Sequence, residues 1–457
     1  MNTSDPQHLS RRRTLLAAGT VTVLGVGLFL GGGLALAPWN GTQSDRSTGA
    51  SSAGSGPAAT DPLAADITGL QQHLRTSPQD AVALATLGLD YVQQAKSTAD
   101  PTYYPKAERV LTRSLASQRK DNFTAMGGMA ALEAGRHRFT QALDWAKQAV
   151  AVNPYSSPLY GTLADAYTQL GRYSEAADAT QRMVDLKPGA PSLSRASYVA
   201  ELRGDVATAR TDMRRALNDS AGPADQAFAH YYLGELAFNN GDPATELKEA
   251  DAGLRVAPSY TALFQAKARA EAALGRTDAA IADLNRAVQR VPQPEYILQL
   301  GELYQSLGRT KQADEQYRIF RAEQQLFTAN GVALDSDAAL FEADHGNPKQ
   351  ALAIARKGLR TRPFLETHDA LAWALHVNGH DQEALDEANQ ALEPGMRNAL
   401  FHYHRGMIGK ALGDNEAARN DLAEALTINP HFSPLYAPKA RRALTTLEES
   451  RGGVQGS

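Results

Sequence analysis

Histidine is the residue type whose placement first suggests chemistry in this chain. Five of the 11 histidines fall between His368 and His404, and His376 and His380 lie four residues apart. That spacing can put two imidazoles on one face of a helix, where they can bind a metal ion. Gly379 lies between them, however, and a glycine there favours a turn that contains His380. We therefore predict no metal centre and keep a metal-sensing role for these histidines as an alternative.

Other kinds of chemistry are restricted by what the sequence lacks. The chain has no cysteine, which excludes a disulfide framework, a thiol nucleophile and cysteine-ligated metal clusters. The phosphate-binding glycine loops, the zinc-protease motif and the serine-hydrolase elbow are also absent from the sequence. Acidic residues are scattered at the spacing of solvent-facing helix positions. We therefore predict a protein that is not an enzyme and that uses no cofactor.

Charge and length limit the partners and the architecture. The chain has 46 Lys and Arg residues and 50 Asp and Glu residues, which gives a net charge of −4. Residues 1–14 have a net charge of +2, so the remaining residues have a net charge of −6. Such a balance suits phosphate backbones poorly, so we expect no nucleic-acid partner. A chain of 457 residues is too long for one ordinary core and must form either several domains or a repeat array.

The N-terminal part has the pattern of a membrane segment. Residues 15–37 contain no charged residue and follow three arginines at positions 11–13. A helix of that length spans about 35 Å, enough for a bilayer core. The positive charge before it predicts that residues 1–14 are cytoplasmic, that residues 15–37 are a single-pass signal-anchor in the cell membrane, and that the remainder is extracytoplasmic. Secretion after cleavage at residues 35–37, Ala-Leu-Ala, and the twin-arginine export route stay open as alternatives.

The rest of the chain divides into a linker and a long helical region. Residues 38–61 are rich in Gly, Ser, Ala and Thr and predict a flexible linker with a reach of about 25–30 Å. Residues 62–432 show helical periodicity and internal repetition, and residues 433–457 are predicted to form a C-terminal capping helix and tail.

Two sets of positions define the repeat. A glycine follows an apolar stretch every 33 to 38 residues, at Gly171, Gly204, Gly241, Gly275, Gly308, Gly346, Gly379 and Gly413. An alanine recurs five residues after seven of these glycines, and the series extends back to two earlier alanines. Its members are Ala107, Ala142, Ala176, Ala209, Ala280, Ala313, Ala351, Ala384 and Ala418. The glycine is expected to end a first helix in a left-handed conformation, and the alanine to lie where two antiparallel helices cross. Glu246 interrupts the alanine series, so we expect looser packing or a bend there.

Several further positions recur together with these two sets. Examples are Leu84, Leu87, Gly88 and Tyr91 in the first unit, and Tyr160, Leu163, Ala164, Tyr167 and Pro188 in a later one. This pattern resembles the tetratricopeptide repeat (TPR) family, over nearly all of the region after the linker. The resemblance implies an all-α fold: a right-handed superhelical solenoid of about ten TPR-like helix pairs with capping helices.

The resemblance also implies where a partner binds. TPR proteins bind protein segments on a concave face that is lined mostly by the first helix of each pair. The matching positions give these candidate binding residues: Tyr198, Glu201, Tyr231, Glu235, Phe238, Glu302, Trp373 and Tyr403. Packing between adjacent units explains any one of them equally well. We therefore predict a membrane-tethered scaffold that binds a protein or peptide partner outside the cytoplasm, with an accessory subunit that senses a small ligand or metal through the histidine-rich repeats as the alternative.

Overall fold

The computed structural model describes residues 62–333 and 336–455, and these residues form twenty-two α-helices and no strand. The helices are α1 (Pro62–Thr76), α2 (Ala81–Thr98), α3 (Tyr103–Ser117), α4 (Phe123–Gly135), α5 (Phe139–Val152), α6 (Ser157–Gln169), α7 (Tyr173–Leu186), α8 (Ala190–Leu202), α9 (Val206–Asn218), α10 (Pro223–Asn239), α11 (Pro243–Val256), α12 (Thr261–Ala273), α13 (Thr277–Arg290), α14 (Pro294–Ser306), α15 (Thr310–Ala329), α16 (Ser336–His345), α17 (Pro348–Thr361), α18 (Leu365–Val377), α19 (Asp381–Leu392), α20 (Ala399–Ala411), α21 (Asn415–Ile428) and α22 (Tyr436–Gln455).

Ten consecutive helix pairs, from α2 with α3 to α20 with α21, form the body of the solenoid, while α1 precedes them and α22 follows them. Among the described helices, extensive contacts join only those that are one or two places apart in the chain. A single pair cannot bury its own apolar face, so each pair depends on its neighbours for a core. The predicted all-α repeat superhelix of about ten helix pairs is confirmed.

The alanine positions mark the helix crossings, as predicted. Each is at most 1% exposed: Ala107, Ala142, Ala176, Ala209, Ala280, Ala313, Ala351, Ala384 and Ala418. A side chain as small as a methyl group lets two helix axes approach closely at these positions.

The glycine positions follow the ends of the first helices, and all but one of them have a positive φ. Seven of the eight adopt φ between +67° and +81°, where a side chain would be strained. Gly346 does not adopt a positive φ, and its close neighbour is a side chain. A Cβ there would collide with the carboxylate of Glu342, which accepts a hydrogen bond of 2.9 Å from the backbone N–H of Asn347.

The solenoid coils far enough to touch itself. Hydrogen bonds join residues that are 191 to 197 residues apart, so the superhelix completes one turn in roughly that length of chain. The glycine turns after three first helices meet the ends of three later second helices or the loops that follow them: Gly171 with Pro363, Gly204 with Gly395, and Gly241 with Ile428. We call this line of contacts the seam. It makes the second turn of the superhelix rest directly on the first.

The predicted location in the membrane requires a correction. Within residues 62–333 and 336–455, no helix is both long enough and apolar enough to cross a bilayer. The long helix α15, for example, has 20 residues but carries charged side chains such as Lys311 and Arg318 along its length, and each of these would be costly in a bilayer core. The single-pass location in the cell membrane is therefore contradicted. The predicted segment 15–37 and its flanks, residues 1–14 and 38–61, lie outside the described residues.

Candidate functional site

A chamber of about 290 Å³ lies among the first helices of seven consecutive pairs, α8 to α20. Its wall is formed by Tyr198, Glu201, Glu235, Phe238, Asn239, Arg269, Glu295, Leu298, Gln299, Glu302, Asp337, Glu366, Met396, Arg397, Asn398, Ala399, Leu400, Asn429 and Phe432. Seven successive first helices can border one space only if they all face a common axis. The chamber is therefore on the concave side of the superhelix, and we call it the central chamber.

Five of the eight candidate binding residues line the central chamber. They are Tyr198 and Glu201 of α8, Glu235 and Phe238 of α10, and Glu302 of α14. The two aromatic rings are largely buried and present only part of their surface to the space, whereas Glu201 and Glu302 are half-buried. The structure thus brings together residues from three helix pairs that the sequence places up to 104 positions apart.

The other three candidates lie in the packed interior behind the wall. Tyr231 is 0% exposed and hydrogen-bonds the carboxylate of Glu235. The indole N–H of Trp373 donates to Asp344 at 2.7 Å, and its ring stacks on an imidazole 4.3 Å away. Tyr403 is 1% exposed and stacks on the last helix, α22. These three side chains pack between adjacent units, so we leave them out of the candidate site.

Several charged wall residues were not predicted from the sequence, although one of them stands at a position that the repeat pattern marks. Arg269 stands six residues before Gly275, in the same position that Glu235 and Glu302 occupy relative to their own turn glycines. The repeat could therefore have identified Arg269. Glu366 and Arg397 had no such signal, because they lie at a helix start and in the connection between α19 and α20.

Arg269 is held in the wall by three groups. Its Nε donates to Glu246 Oε1 at 3.0 Å, its Nη1 donates to Glu235 Oε2 at 3.4 Å, and its guanidinium lies 4.3 Å from the centre of the Phe238 ring. This arrangement accommodates Glu246 at an alanine position: the residue is 0% exposed, and the facing Gly234 leaves room for its longer side chain. One guanidinium therefore serves two buried carboxyl groups.

The wall as a whole carries an excess of acidic groups. Six carboxyl groups face two guanidinium groups, a formal excess of four negative charges when all are ionised; the acids are Glu201, Glu235, Glu295, Glu302, Asp337 and Glu366. Arg269 is already engaged by Glu235 and Glu246, and Arg397 is exposed. Glu366 also lies 3.7 Å from the guanidinium of Arg362, and Glu302 lies 3.5 Å from the imidazole of His345. Carboxyl groups still outnumber guanidinium groups around the chamber, so its field is negative once Glu201 and Glu295 are ionised.

Burial and mutual repulsion raise pKa values in this wall. Burial raises the pKa of Glu201 to about 7, against the opposing effect of a hydrogen bond from Asn239. Burial, and then the nearby carboxyl groups of Asp337 and Glu235, raises the pKa of Glu295 to about 8. The chamber consequently gains negative charge as the pH rises through the neutral range.

Three histidines pair with carboxylates of their own helix pairs, a role that was not predicted from the sequence. In three repeats an imidazole Nδ1 lies 2.7 to 2.8 Å from a carboxylate 19 residues further on: His230 with Glu249, His368 with Glu387, and His402 with Asp421. These pairs connect the two helices of one unit. Among the described residues, no group of three or more His, Asp or Glu side chains is placed to hold a metal ion. The metal-sensing alternative therefore has no donor set in this part of the chain.

Comparison with known sequences identifies the repeat. Family models described as tetratricopeptide repeat match residues 131–196 and residues 399–432. The first stretch runs from α4 into α8, and the second covers α20 and α21. No curated protein sequence matches the chain. TPR units are thus present both early and late in the solenoid.

Solved structures of low sequence identity are similar to this one. The structure of the human IFIT1 dimer with PPP-AAAA is 14% identical in sequence. The match covers 80% of this chain and 86% of the IFIT1 chain, with a TM-score of 0.44. Yeast Tom70 is 12% identical in sequence. The match covers 86% of this chain and 96% of the Tom70 chain, with a TM-score of 0.32. A thermophilic TPR protein of Thermus thermophilus is 22% identical in sequence. The match covers 42% of this chain and 98% of the Thermus chain, with a TM-score of 0.36. At these identities the likeness concerns the fold alone.

Proposed function

We propose that this protein is a protein-interaction scaffold that takes a basic segment of a partner protein into the central chamber. The observation that carries the proposal is the acidic wall, in which six carboxyl groups from five first helices surround one space. Lys or Arg side chains of a partner would neutralise that charge. The chamber is assigned binding and no catalysis.

The wall already holds one guanidinium in the way a partner side chain would be held. Arg269 sits between two carboxyl groups and over the face of Phe238. Planar guanidinium groups favour this combination of carboxylate and aromatic ring. A second aromatic surface is available from Phe432, which also lines the chamber.

The size of the chamber limits what enters it. A volume of about 290 Å³ lies just below the range of small-ligand pockets, which is about 300–1,000 Å³. We therefore propose that one or two side chains of the partner enter, while the rest of its segment stays outside.

The test uses a fluorescein-labelled Gly-Arg-Gly-Arg-Gly peptide and the full-length protein, with fluorescence anisotropy as the readout. At about pH 9, where Glu295 is ionised, Glu295→Gln and Glu302→Gln should each weaken binding about three- to tenfold, since each removes one negatively charged wall group. The matched control is Glu416→Gln, in the exposed first turn of α21. Binding should strengthen between pH 6 and pH 8, as Glu201 and Glu295 ionise, and should weaken with added salt.

Two results would overturn the proposal. One is equal binding of a Gly-Glu-Gly-Glu-Gly peptide, which would show that charge does not select the ligand. The other is an equal loss of affinity in Glu416→Gln and in the two chamber variants, which would place the interaction on the general surface.

A further inference from the structure

The seam leaves two edges of the superhelix uncovered. The two helices of a unit are antiparallel, so its glycine turn lies at one edge, which we call upper, and the end of its second helix lies at the other, lower edge. The seam joins the upper edge of the first turn to the lower edge of the second. Within the described residues, no other turn covers the lower edge of the first turn, from the end of α1 to the start of α12, or the upper edge of the second turn, at the turns after α12, α14, α16, α18 and α20.

Exposed apolar side chains concentrate on these two uncovered edges. Eight large apolar side chains are exposed in the described part of the chain, and seven of them lie on these edges. The lower edge has Val82, Val152, Tyr155 and Val256, and the upper edge has Leu274, Leu307 and Leu412. The eighth, Leu326, lies near the end of α15. This distribution differs from the single apolar residues that are scattered over an ordinary surface.

The uncovered upper edge repeats the glycine turns that the seam covers. Leu274 stands directly before Gly275, as Leu170 stands before Gly171 in the first turn. Leu170 is half-buried, and a Cβ at Gly171 would collide with the carbonyl oxygen of Pro363 in the second turn. Leu274, in contrast, is 38% exposed, and a Cβ at Gly275 would have nothing within 4 Å. The uncovered turns thus have the conformation of the covered ones and lack only the helix ends that pack on them.

The uncovered lower edge contains a near copy of a seam segment. Residues 152–160 and 428–436 share six of nine residues, and each segment begins at the last residue of a 14-residue second helix, α5 or α21. In both, the asparagine side chain accepts a hydrogen bond from the backbone N–H two residues further on, at 3.2 Å for Asn153 and 2.8 Å for Asn429. The two segments therefore end their helices with the same kind of turn.

Only one of these two segments has another superhelical turn packed on it. In the seam, the side chain of Asn429 donates to the carbonyl oxygen of Phe238 at 2.7 Å, and Ile428 and Asn429 are each 1% exposed. At the uncovered edge, Val152 is 36% exposed and Asn153 is half-buried. The lower edge of the first turn thus carries the groups that the seam uses, without the turn that they contact there.

The contact between the two turns is well packed. Phe364, Leu365, Ala391 and Phe401 of the second turn are buried in one apolar cluster with first-turn residues such as Tyr198. Burial of apolar surface on this scale stabilises the stacking of one turn on the next. Edges of this kind can therefore hold two turns together.

We propose that the uncovered lower edge of one molecule docks on the uncovered upper edge of a second copy of this chain, through the same kind of contact that joins the two turns within a molecule. Two different edges meet, so each added copy leaves one edge uncovered at each end, and assembly is open-ended along the superhelical axis. None of the seven apolar edge residues lines the central chamber, so this self-association does not rest on the proposed partner.

Sedimentation velocity of the full-length protein at about 1–100 µM tests the contact over the affinity range of modest interfaces. The weight-average mass should rise steadily with concentration, with no plateau at two chains. Leu307→Arg should lower the association constant about tenfold or more, because it brings a charge into an apolar contact. Leu326→Arg is the matched control, since the two leucines are 39% and 41% exposed and only Leu307 lies on an uncovered edge.

Mixing two variants tests whether different edges meet. The lower-edge variant carries Tyr155→Arg and Val256→Arg, and the upper-edge variant carries Leu307→Arg and Leu412→Arg. Each variant alone should be monomeric. Their equimolar mixture should form a complex of two chains and nothing larger, because one intact lower edge then meets one intact upper edge while the two arginine-bearing edges repel each other.

A milder pair covers the case in which the arginine variants lose helical structure, which circular dichroism detects. Tyr155→Ser should weaken association about fivefold or more, whereas Leu326→Ser should leave it unchanged. All of these variants should bind the Gly-Arg-Gly-Arg-Gly peptide as the wild-type protein does, since the replaced residues lie outside the central chamber. A failure of self-association and a failure of peptide binding are therefore separate results.

Three results would overturn the proposed self-association. The first is a single chain at every concentration of the wild-type protein. The second is association that survives in both edge variants. The third is a dimer formed by one edge variant alone, because two like edges would then meet.

Discussion

Arg362 and Gln169 are hydrogen-bonded at 2.6 Å although 193 residues separate them in the chain. Both are buried, at 3% and 1% exposure, and the guanidinium lies over the ring of Phe364. The charged donor has this acceptor only when the second turn rests on the first. The pair therefore connects the stability of α6 to that of the junction between α17 and α18.

Replacing Arg362 by Met should lower the free energy of unfolding by about 2–3 kcal/mol, because it leaves the buried amide oxygen of Gln169 without this charged donor. Urea denaturation measures the change. Arg318→Met is the control, since that side chain is 69% exposed and should change stability by less than about 0.5 kcal/mol. Equal effects at the two positions would mean that the hydrogen bond between Arg362 and Gln169 contributes no stability.

The alanine crossings should reject larger side chains. Ala280→Leu or Ala313→Leu forces two helix axes apart and should cost roughly 1–3 kcal/mol. Ala177→Leu, beside the crossing alanine of its unit and half-buried, should cost less. Thermal melts monitored by circular dichroism compare the three variants. A larger loss at residue 177 would contradict the assignment of the crossings.

Arg269 should be the most sensitive charged residue of the chamber. Arg269→Met leaves the buried Glu235 and Glu246 without their shared cation, and should cost about 3–5 kcal/mol at pH 8. The loss should be smaller at pH 5, because both carboxyl groups can then take up protons; burial raises the pKa of each. Arg215→Met, at a 60% exposed side chain, is the control at both pH values. A pH-independent loss would show that packing of the Arg269 side chain, and not its charge, is what matters.

Stability should fall as the pH rises from about 5 to 8. The folded chain holds a proton on Glu295, with a pKa raised to about 8, that the unfolded chain releases near 4.5. The free energy of unfolding should therefore decrease with rising pH, by up to about 1.4 kcal/mol per pH unit for this one group. Glu295→Gln should flatten the profile in part, since the raised pKa of Glu201 acts in the same direction. Urea titrations at four pH values provide the test, and an unchanged slope would exclude Glu295 as a source.

Much of the fold could be predicted because its determinants are local. Gly275 ends a first helix and Ala280 lies at the crossing five residues later, and both requirements arise within one unit of about 34 residues. The concave position of Glu235 and Glu302 followed for the same reason, since both stand at one position of the repeat. The predicted membrane location had no such repeated support, and the described helices contradict it.

The sequence by itself determined the helix pairs, their number and the inward-facing positions of the first helices. Only the tertiary structure decided that the second turn rests on the first, which separates Gly204 from Gly275 and brings Glu366 and Arg397 into the central chamber. The physical reason is that the superhelical turn is the sum of small rotations at successive interfaces. No single unit contains that sum, so residues 191 to 197 positions apart meet without any local pattern that predicts the contact.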